Sequence, residues 1–230
     1  EDYIGERTEP WSYMKFCYLK TPGWKGLSEG PDSGVYCVAP LARLNVIDAM
    51  PTPLAQAAYE KYIEALGKPV HHTLANHWAR LIELLYATER MRDLANDPET
   101  AGPDVRALPT GTPGEGIGVV EAPRGTLMHH YAADEQGLIR KANLIVATQN
   151  NAARIAMSVE KAAKSLITGA TVNEGLLNMV EMAFRAYDPC LGCATHSLPG
   201  SMPLMIQVRN RSGDRVTALR RDSDGRVYRT

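Results

Sequence analysis

The sequence predicts a mainly helical α+β fold, with a helical bundle core and small antiparallel β elements. Three observations predict it. Residues 70–96 repeat apolar side chains every three to four positions, which is typical of an amphipathic helix. Residues 97–116 are rich in Pro and Gly and precede alternating segments, and the C-terminal residues change to a period of two. At 230 residues, the chain is long enough to bury a sizeable core.

The helices follow from start and stop signals. Residues 1–50 carry many Pro, Gly and Tyr and predict loops with short extended pieces. A helix is expected after Thr52, which is a candidate cap; Pro53 suits the first turn and Gly67 ends it. The long helix over 70–96 comes next, and two more are expected over 150–167 and 173–187.

The β elements lie between and after these helices. Residues 117–134 predict two extended segments joined around Pro123–Gly125, and residues 138–148 predict a third extended segment. The last part of the chain predicts short alternating strands separated by turns at 211–214 and 222–225. This part has seven arginines against three aspartates and is therefore basic. We expect two units, 1–196 and a small β-hairpin-like extension over 197–230.

Composition excludes several classes of protein. The net charge of −1 gives no support to a nucleic-acid partner. No apolar run approaches the ~18 residues that a membrane span requires, and no signal-peptide pattern is present. Four cysteines are too few for the disulfide framework of a secreted protein. A cytoplasmic location is the expectation.

The stretch "AYDPCLGCATHSLPG" (186–200) contains the strongest chemical signal. Cys190, Cys193 and His196 supply two thiolates and an imidazole, which suit zinc, nickel, iron or copper. A structural zinc site would need a fourth ligand. A redox dithiol should start a helix, whereas this pair follows the end of a predicted one. Spacing alone leaves zinc, a redox dithiol and another metal centre open.

The same stretch resembles the DPCxxCxxH motif of [NiFe]-hydrogenase large subunits. Two more stretches are similar to that family, "GEGIGVVEAPRGTLMHHY" (114–131) and "NLIVATQNNAA" (143–153). Two others, "VAPLARLNVIDAMPTPLAQ" (38–56) and "HHTLANHWARLIELLYATE" (71–89), are similar to its cytoplasmic, multimeric, cofactor-linked branch. The five stretches occur in the family's order and cover nearly all of residues 1–196. The resemblance implies the large-subunit fold and reversible H2 oxidation.

The resemblance also implies which residues hold the metals. Cys190 would be a terminal nickel thiolate, and Cys193 would bridge nickel to an iron that carries carbonyl and cyanide ligands. Arg124 would donate hydrogen bonds toward cyanide, because a guanidinium fork suits anionic acceptors. His196 would bind magnesium or a similar cation.

Four other residues would surround the centre in this resemblance. Thr148 and the backbone of Ala147 would cradle a second cyanide, and Pro123 would line the same pocket. Asp188 would orient the cysteine loop from the second shell of groups around the metals.

The chain departs from the family's pattern at one place. The complete centre needs four cysteines, and the first pair, in an RxCGxC segment, has no counterpart here. Cys17 and Cys37 lie twenty residues apart in unrelated contexts and are expected to be free thiols. The chain, which begins at Glu1, is therefore expected to be a C-terminal half. It would act only with the N-terminal half or with a split companion chain that supplies the other pair.

The resemblance further implies partners. Electrons would leave through iron–sulfur clusters in a separate small subunit, and a diaphorase or reductase module would pass them to an acceptor. Metal-insertion factors would load the site. A maturation endopeptidase would then cut between His196 and Ser197 and release residues 197–230; we expect the form described here to be uncut. The alternatives are a zinc-stabilised CxxCxxH scaffold and a metal-free homologue from respiratory complex I.

Overall fold

The computed structural model describes residues 2–12, 14–169, 172–194, 204–221 and 226–229. Its helices are α1 (Pro40–Val46), α2 (Pro53–Leu66), α3 (Ala75–Ala95), α4 (Ala147–Asn150), α5 (Ala152–Leu166), α6 (Glu174–Arg185) and α7 (Leu191–Ala194), with a 3₁₀ turn at Pro98–Ala101. Its strands are β1 (Ile4–Thr8), β2 (Lys15–Leu19), β3 (Glu115–Ala122), β4 (Gly125–Ala133), β5 (Ile139–Ile145), β6 (Leu204–Arg209), β7 (Arg215–Arg221) and β8 (Val227–Arg229). The predicted mainly helical fold with small antiparallel sheets is confirmed.

Helices α1, α2 and α3 form one packed unit. The predicted bounds of α2 are confirmed: it starts at Pro53 and ends before Gly67, whose φ of 78° lies in the left-handed region that glycine adopts without strain. Helix α1 was missed, because seven residues are too short for a clear period. Helix α3 starts at Ala75, later than residue 70.

The start of α2 differs from the prediction. The Thr52 side chain does not cap the helix; its hydroxyl donates to Glu89 Oε2 at 2.6 Å. Glu89, on α3, also accepts from the first backbone N–H groups of α2, those of Leu54 at 3.1 Å and Ala55 at 2.9 Å. A carboxylate from a neighbouring helix thus satisfies donors that a helix leaves unpaired at its N-terminus.

Most of the interior of this unit is apolar, although Thr52, Asn76 and Glu89 are buried in it as well. Its buried apolar residues come from all three helices and the loops between them: Leu41, Leu44, Met50, Ala55, Tyr59, Tyr62, Val70, Ala75, Ala79 and Ile82. Each large side chain removed from water contributes roughly 1.5–3 kcal/mol. Burial of this kind fixes the relative positions of α1 and α3, which both reach the site described below.

Three antiparallel sheets accompany the helices: β1–β2, β3–β4–β5 and β6–β7–β8. The predicted extended segments around Pro123–Gly125 are strands β3 and β4, whose pairing ends at Ala122 and Gly125. The third segment ends as a strand at Ile145, because Ala147 already begins α4. This change from strand to helix places the polar run 148–151 inside the molecule, where all four residues are buried.

A smaller core joins β2 to the start of α5. Phe16, Ala152 and Ala153 are buried there, with Trp24 stacked on Phe16 at a ring separation of 5.9 Å. Within the described residues, no helix is long and apolar enough to cross a membrane.

Candidate metal centre

Three segments meet to form the candidate site. They are the turn at 123–124 between β3 and β4, the short helix α4, and the loop at 186–190 that leads into α7. Each was singled out from sequence, and they lie far apart along the chain. Their meeting is therefore a product of the tertiary fold.

Close packing at Gly125 determines the shape of the first segment. Its φ of +129° is one that residues with side chains rarely adopt. A Cβ at this position would overlap the Val38 side chain and lie 3.0 Å from the Ala39 nitrogen. Glycine therefore lets the turn pack closely against residues 38–39, and this fixes where Arg124 projects.

Arg124 and Asp188 connect the first and third segments. Arg124 Nε donates to Asp188 Oδ2 at 3.0 Å, and both side chains are about half exposed, at 47% and 46%. Asp188 has a φ of +51°, a left-handed conformation that Asp tolerates better than most residues. The bond aligns the guanidinium beside the cysteine loop.

Thr148 joins the second segment to the third. Its Oγ1 accepts a hydrogen bond from the backbone N–H of Cys190 at 3.0 Å, and the residue is buried. A threonine hydroxyl also carries one O–H donor, which this bond does not use. Thr148 therefore holds the start of the CxxC loop and keeps a donor for an anionic group. Ala147, the first residue of α4, is buried beside it.

The two cysteines of the motif lie together. Cys190 comes directly before α7 and Cys193 within it, and their Cα atoms are 5.3 Å apart. The structure joins their sulfur atoms as a disulfide. Both a disulfide and a shared metal ion require two sulfurs to reach a common point. Cys193 is exposed and Cys190 partly exposed, so the pair is open on one side.

Two of the predicted site residues are not described by the structure, and a third lies in the first segment. His196 and Ser197 lie outside the described residues. Pro123 is exposed, and its carbonyl accepts from Arg43 Nη2 at 2.9 Å.

A nickel–iron centre needs more ligands than these segments supply. Within the described part of the chain, no group of three or more His, Cys, Asp or Glu side chains is arranged to hold a metal ion. Cys190 and Cys193 therefore fit as two thiolate ligands of a larger centre. Two atoms beside Thr148, Gln149 Oε1 and Asn151 Nδ2, are buried without a hydrogen-bond partner in the described residues. The other polar atoms of these two side chains bond to Glu6 Oε1 and to the Val38 N–H.

Cys17 and Cys37 do not belong to this donor set. Burial raises the pKa of Cys17 to about 12 and that of Cys37 to about 11. Thiols with such pKa values are protonated at neutral pH, and the thiolate is the form that binds metals. The expectation that they are free is confirmed; Cys17 is buried, whereas Cys37 is only partly buried.

Sequence reasoning missed several residues that hold the site segments in place through hydrogen bonds. Asn150 Nδ2 donates to the carbonyls of Thr126 at 2.9 Å and Val146 at 3.1 Å, and Asn151 Oδ1 accepts from the Val38 N–H at 2.9 Å. The signal that could have found them is the polar run "TQNN" between an apolar strand and an apolar helix. Arg43 and Arg80 also bond to the site segments, and no sequence pattern around them indicates it.

Known proteins are similar to this chain in sequence. A family profile described as nickel-dependent hydrogenase matches residues 4–196. The iron-sulfur polypeptide of an F420-non-reducing hydrogenase from Archaeoglobus profundus is 49% identical over 95% of this chain and 45% of its own length. The beta polypeptide of the NAD-reducing hydrogenase HoxS from Cupriavidus necator is 44% identical over 92% of this chain and 43% of its own.

Solved structures agree with the sequence relatives. The NAD+-reducing [NiFe]-hydrogenase in the H2-reduced state superposes with a TM-score of 0.76 at 44% identity, over 85% of this chain and 42% of that one. The Ni-Fe-Se hydrogenase of Desulfovibrio vulgaris Hildenborough, at 21% identity and a TM-score of 0.55 over 83% of this chain and 39% of that one, shares the fold. The chain spans a little under half the length of the relatives it matches.

Proposed function

This chain belongs to the nickel-dependent hydrogenase family, and from that premise we propose that it is the C-terminal half of a [NiFe]-hydrogenase large subunit. The reaction would be the reversible oxidation of H2 to protons and electrons. One observation carries the proposal: Arg124, Thr148 and the Cys190–Cys193 loop come from three distant segments and are joined by hydrogen bonds at one place.

In this proposal, Cys190 and Cys193 would hold the metals as thiolates, with Cys190 as a ligand of nickel and Cys193 as a ligand of nickel and iron. The nickel–iron centre, when bound, supplies heterolytic cleavage of H2 and takes up the electrons. The exposed side of the cysteine pair supports this arrangement, because the other two thiolates would approach from the rest of the large subunit or from a companion chain.

The chain's own residues then orient anionic ligands of iron. The bond to Asp188 uses Arg124 Nε, which leaves the two Nη groups to donate to a cyanide. Thr148 would donate its hydroxyl hydrogen to a second cyanide, beside the backbone of Ala147, while Pro123 lines the pocket. Asp188 acts through Arg124, because the ion pair fixes the direction of the guanidinium fork.

Residues beyond the cysteine pair enter the proposal through the family resemblance. His196 would bind magnesium or a similar cation, and the bond between His196 and Ser197 would be the maturation cleavage site. Intact-mass analysis of the natively purified polypeptide tests the cleavage. A species that ends at His196 would show that residues 197–230 are removed.

The proposed partners supply what this chain lacks. Two of its four cysteines are assigned and the other two are protonated thiols, so the iron–sulfur clusters would lie in a small subunit. A diaphorase or reductase module would pass electrons onward, and metal-insertion factors would load the centre. A cytoplasmic location is proposed for this assembly.

A cysteine substitution in the complete enzyme tests the proposal. Cys190→Ser removes a soft thiolate, so nickel content and H2 uptake should both fall to background. Cys37→Ser is the matched control, since that thiol lies outside the donor set, and it should retain both. Metal analysis and infrared bands of carbonyl and cyanide are the readouts. Full H2 uptake by Cys190→Ser, or stoichiometric zinc without those bands in the unmodified enzyme, would refute the assignment.

A further inference from the structure

Arg43, on α1, has an unusually complete set of partners. An arginine side chain has five N–H donors. Nε and Nη2 donate to the two carboxylate oxygens of Glu83 on α3, at 2.7 and 2.6 Å. The remaining donors reach Glu121 Oε2, the Ala122 carbonyl and the Pro123 carbonyl, each at 2.9 Å. All five donors are therefore used, and the acceptors belong to α3, to β3 and to the turn after β3.

These contacts hold the two peptide units that precede Arg124. Pro123 has no N–H, so the turn has one fewer donor with which to hold itself. The carbonyls of Ala122 and Pro123 are instead bound by Arg43 from α1. Glu83 holds the Arg43 fork in place, and the Arg43 and Glu83 side chains are only about one-fifth exposed. The direction in which Arg124 leaves the turn is thus set from outside the β3–β4 hairpin.

Arg80 makes the corresponding contact on the other side of the site. Its Nη2 donates to the Ala186 carbonyl at 2.9 Å, two residues before Asp188. Arg80 and Glu83 are three positions apart on α3, and residues at that spacing share a helix face. One face of α3 therefore contacts the Asp188 loop directly through Arg80, and it supports the Arg124 turn indirectly, because Glu83 holds Arg43.

We propose that Arg43 and Arg80 are positioning residues: from the packed unit α1–α3 they hold the Arg124 turn and the Asp188 loop at the separation that the Arg124–Asp188 pair requires. The inference rests on the proposed function, in which that pair faces the iron ligands. Neither arginine needs to touch the metals. Each acts through backbone carbonyls, which it binds from a helix of the packed unit.

Arginine-to-lysine changes in the complete enzyme test this. Arg43→Lys and Arg80→Lys keep the charge beside the neighbouring helices but replace the planar fork by a single ammonium. Arg140→Lys is the matched control, because Arg140 also binds one carboxylate, that of Asp134, through Nε and Nη2. Among the described residues, its side-chain hydrogen bond goes to Asp134 and not to the site segments. Two readouts are used: amide hydrogen exchange over residues 121–128 and 186–190, and the infrared bands of the iron-bound carbonyl and cyanide.

Amide exchange over residues 121–128 should rise about tenfold in Arg43→Lys, because roughly two hydrogen bonds to backbone carbonyls are lost. Exchange over residues 186–190 should rise in Arg80→Lys, which loses the bond to the Ala186 carbonyl. Both variants should shift the cyanide bands while Arg140→Lys leaves them in place. If either variant matches Arg140→Lys in both readouts, or exchanges faster without moving the bands, its positioning role is wrong. An unmodified enzyme without such bands would overturn the proposed function instead, and exchange alone would then decide whether the arginines hold the loops.

Discussion

The helical unit α1–α3 and the site segments around α4 differ in what fills their interiors. The first buries aliphatic and aromatic side chains from three helices. The second buries Thr148, Gln149, Asn150 and Asn151. Thr148, Asn150 and Asn151 bond to backbone groups of other segments, and Gln149 Nε2 donates to Glu6 Oε1 at 2.6 Å. Apolar burial is non-directional and scales with area, whereas hydrogen bonds depend on distance and angle.

This difference separates stability from placement. The helical unit provides a rigid base, because close-packed interiors resist deformation. The site segments are short and carry few apolar side chains, so directional bonds determine where Arg124 and the cysteines point. Substitutions in the two regions should therefore have different consequences, and the following predictions are ordered from the largest expected effect on stability to the smallest.

The largest effect is expected at Leu44, which is fully buried in the helical unit. Leu44→Ala should lower the free energy of unfolding by about 2–5 kcal/mol, through lost burial and the cavity left behind. Chemical denaturation measures it. Leu84→Ala, at a position 61% exposed on α3, is the control and should change stability by less than about 0.5 kcal/mol. Equal losses at the two positions would contradict the apolar core described here.

In the site region, Thr148→Val should have a smaller effect on stability and a local one on structure. It leaves the Cys190 N–H without its acceptor, which costs about 1–3 kcal/mol. Exchange of the Cys190 amide should accelerate more than exchange in α3. Thr88→Val, which removes a hydroxyl bonded to the Leu84 carbonyl on an exposed helix face, is the comparison. Unchanged exchange at Cys190 would show that Thr148 does not hold the loop.

Glu89 introduces a pH-dependent group into the mainly apolar interior of the helical unit. Its desolvation raises the pKa, but hydrogen bonds from Thr52, Ala55 and Leu54 outweigh this and leave the pKa lowered. A carboxyl whose pKa is lower in the folded state stabilises the protein above its unfolded value, about 4.3 for glutamate, and loses that contribution as the pH falls. Glu89→Gln should therefore reduce stability at pH 7 and flatten the stability curve below about pH 4.3.

Thermal unfolding across pH 3–7 measures this effect. The control is Glu60→Gln, which removes an exposed carboxylate on α2 that accepts from Gln56. If Glu89→Gln and Glu60→Gln give parallel curves, the carboxylate at the start of α2 contributes nothing that depends on protonation.

The smallest effect is expected at Tyr62, and with the opposite sign. Its hydroxyl is buried and has no hydrogen-bond partner in the described residues. Tyr62→Phe should therefore leave stability unchanged or raise it by up to about 1 kcal/mol. Tyr59→Phe is the matched control on the same helix, since the Tyr59 hydroxyl lies 3.2 and 3.1 Å from the carbonyls of Leu44 and Ile47, and it should destabilise. Denaturation midpoints that fall equally would contradict the distinction.

Local signals predicted some elements well and others poorly. The bounds of α2 were predictable, because Pro53 and Gly67 act on their own backbone. The later start of α3 and the role of Thr52 were not, because they depend on contacts with residues elsewhere in the chain. Glu89 lies 37 positions from Thr52, and no local pattern connects them.

The candidate site shows the same division. Cys190, Cys193, Arg124 and Thr148 were found from motif resemblance, and their mutual geometry remained unknown until the segments could be placed together. Arg43 lies 78 positions from Glu121, and Arg80 lies 106 positions from Ala186. Neither spacing nor periodicity in the sequence could therefore predict these two contacts.

By itself, the sequence determined the helical and extended periods, the glycine that ends α2, and the set of thiol, guanidinium and hydroxyl groups available for chemistry. These depend on backbone preferences and on side-chain type. Only the tertiary structure decided which polar atoms meet: Arg124 with Asp188, Thr148 with the Cys190 backbone, and Arg43 with two carbonyls of the turn. The physical reason is that a hydrogen bond has a range of about 3 Å, and the fold alone brings residues so distant in sequence within that range.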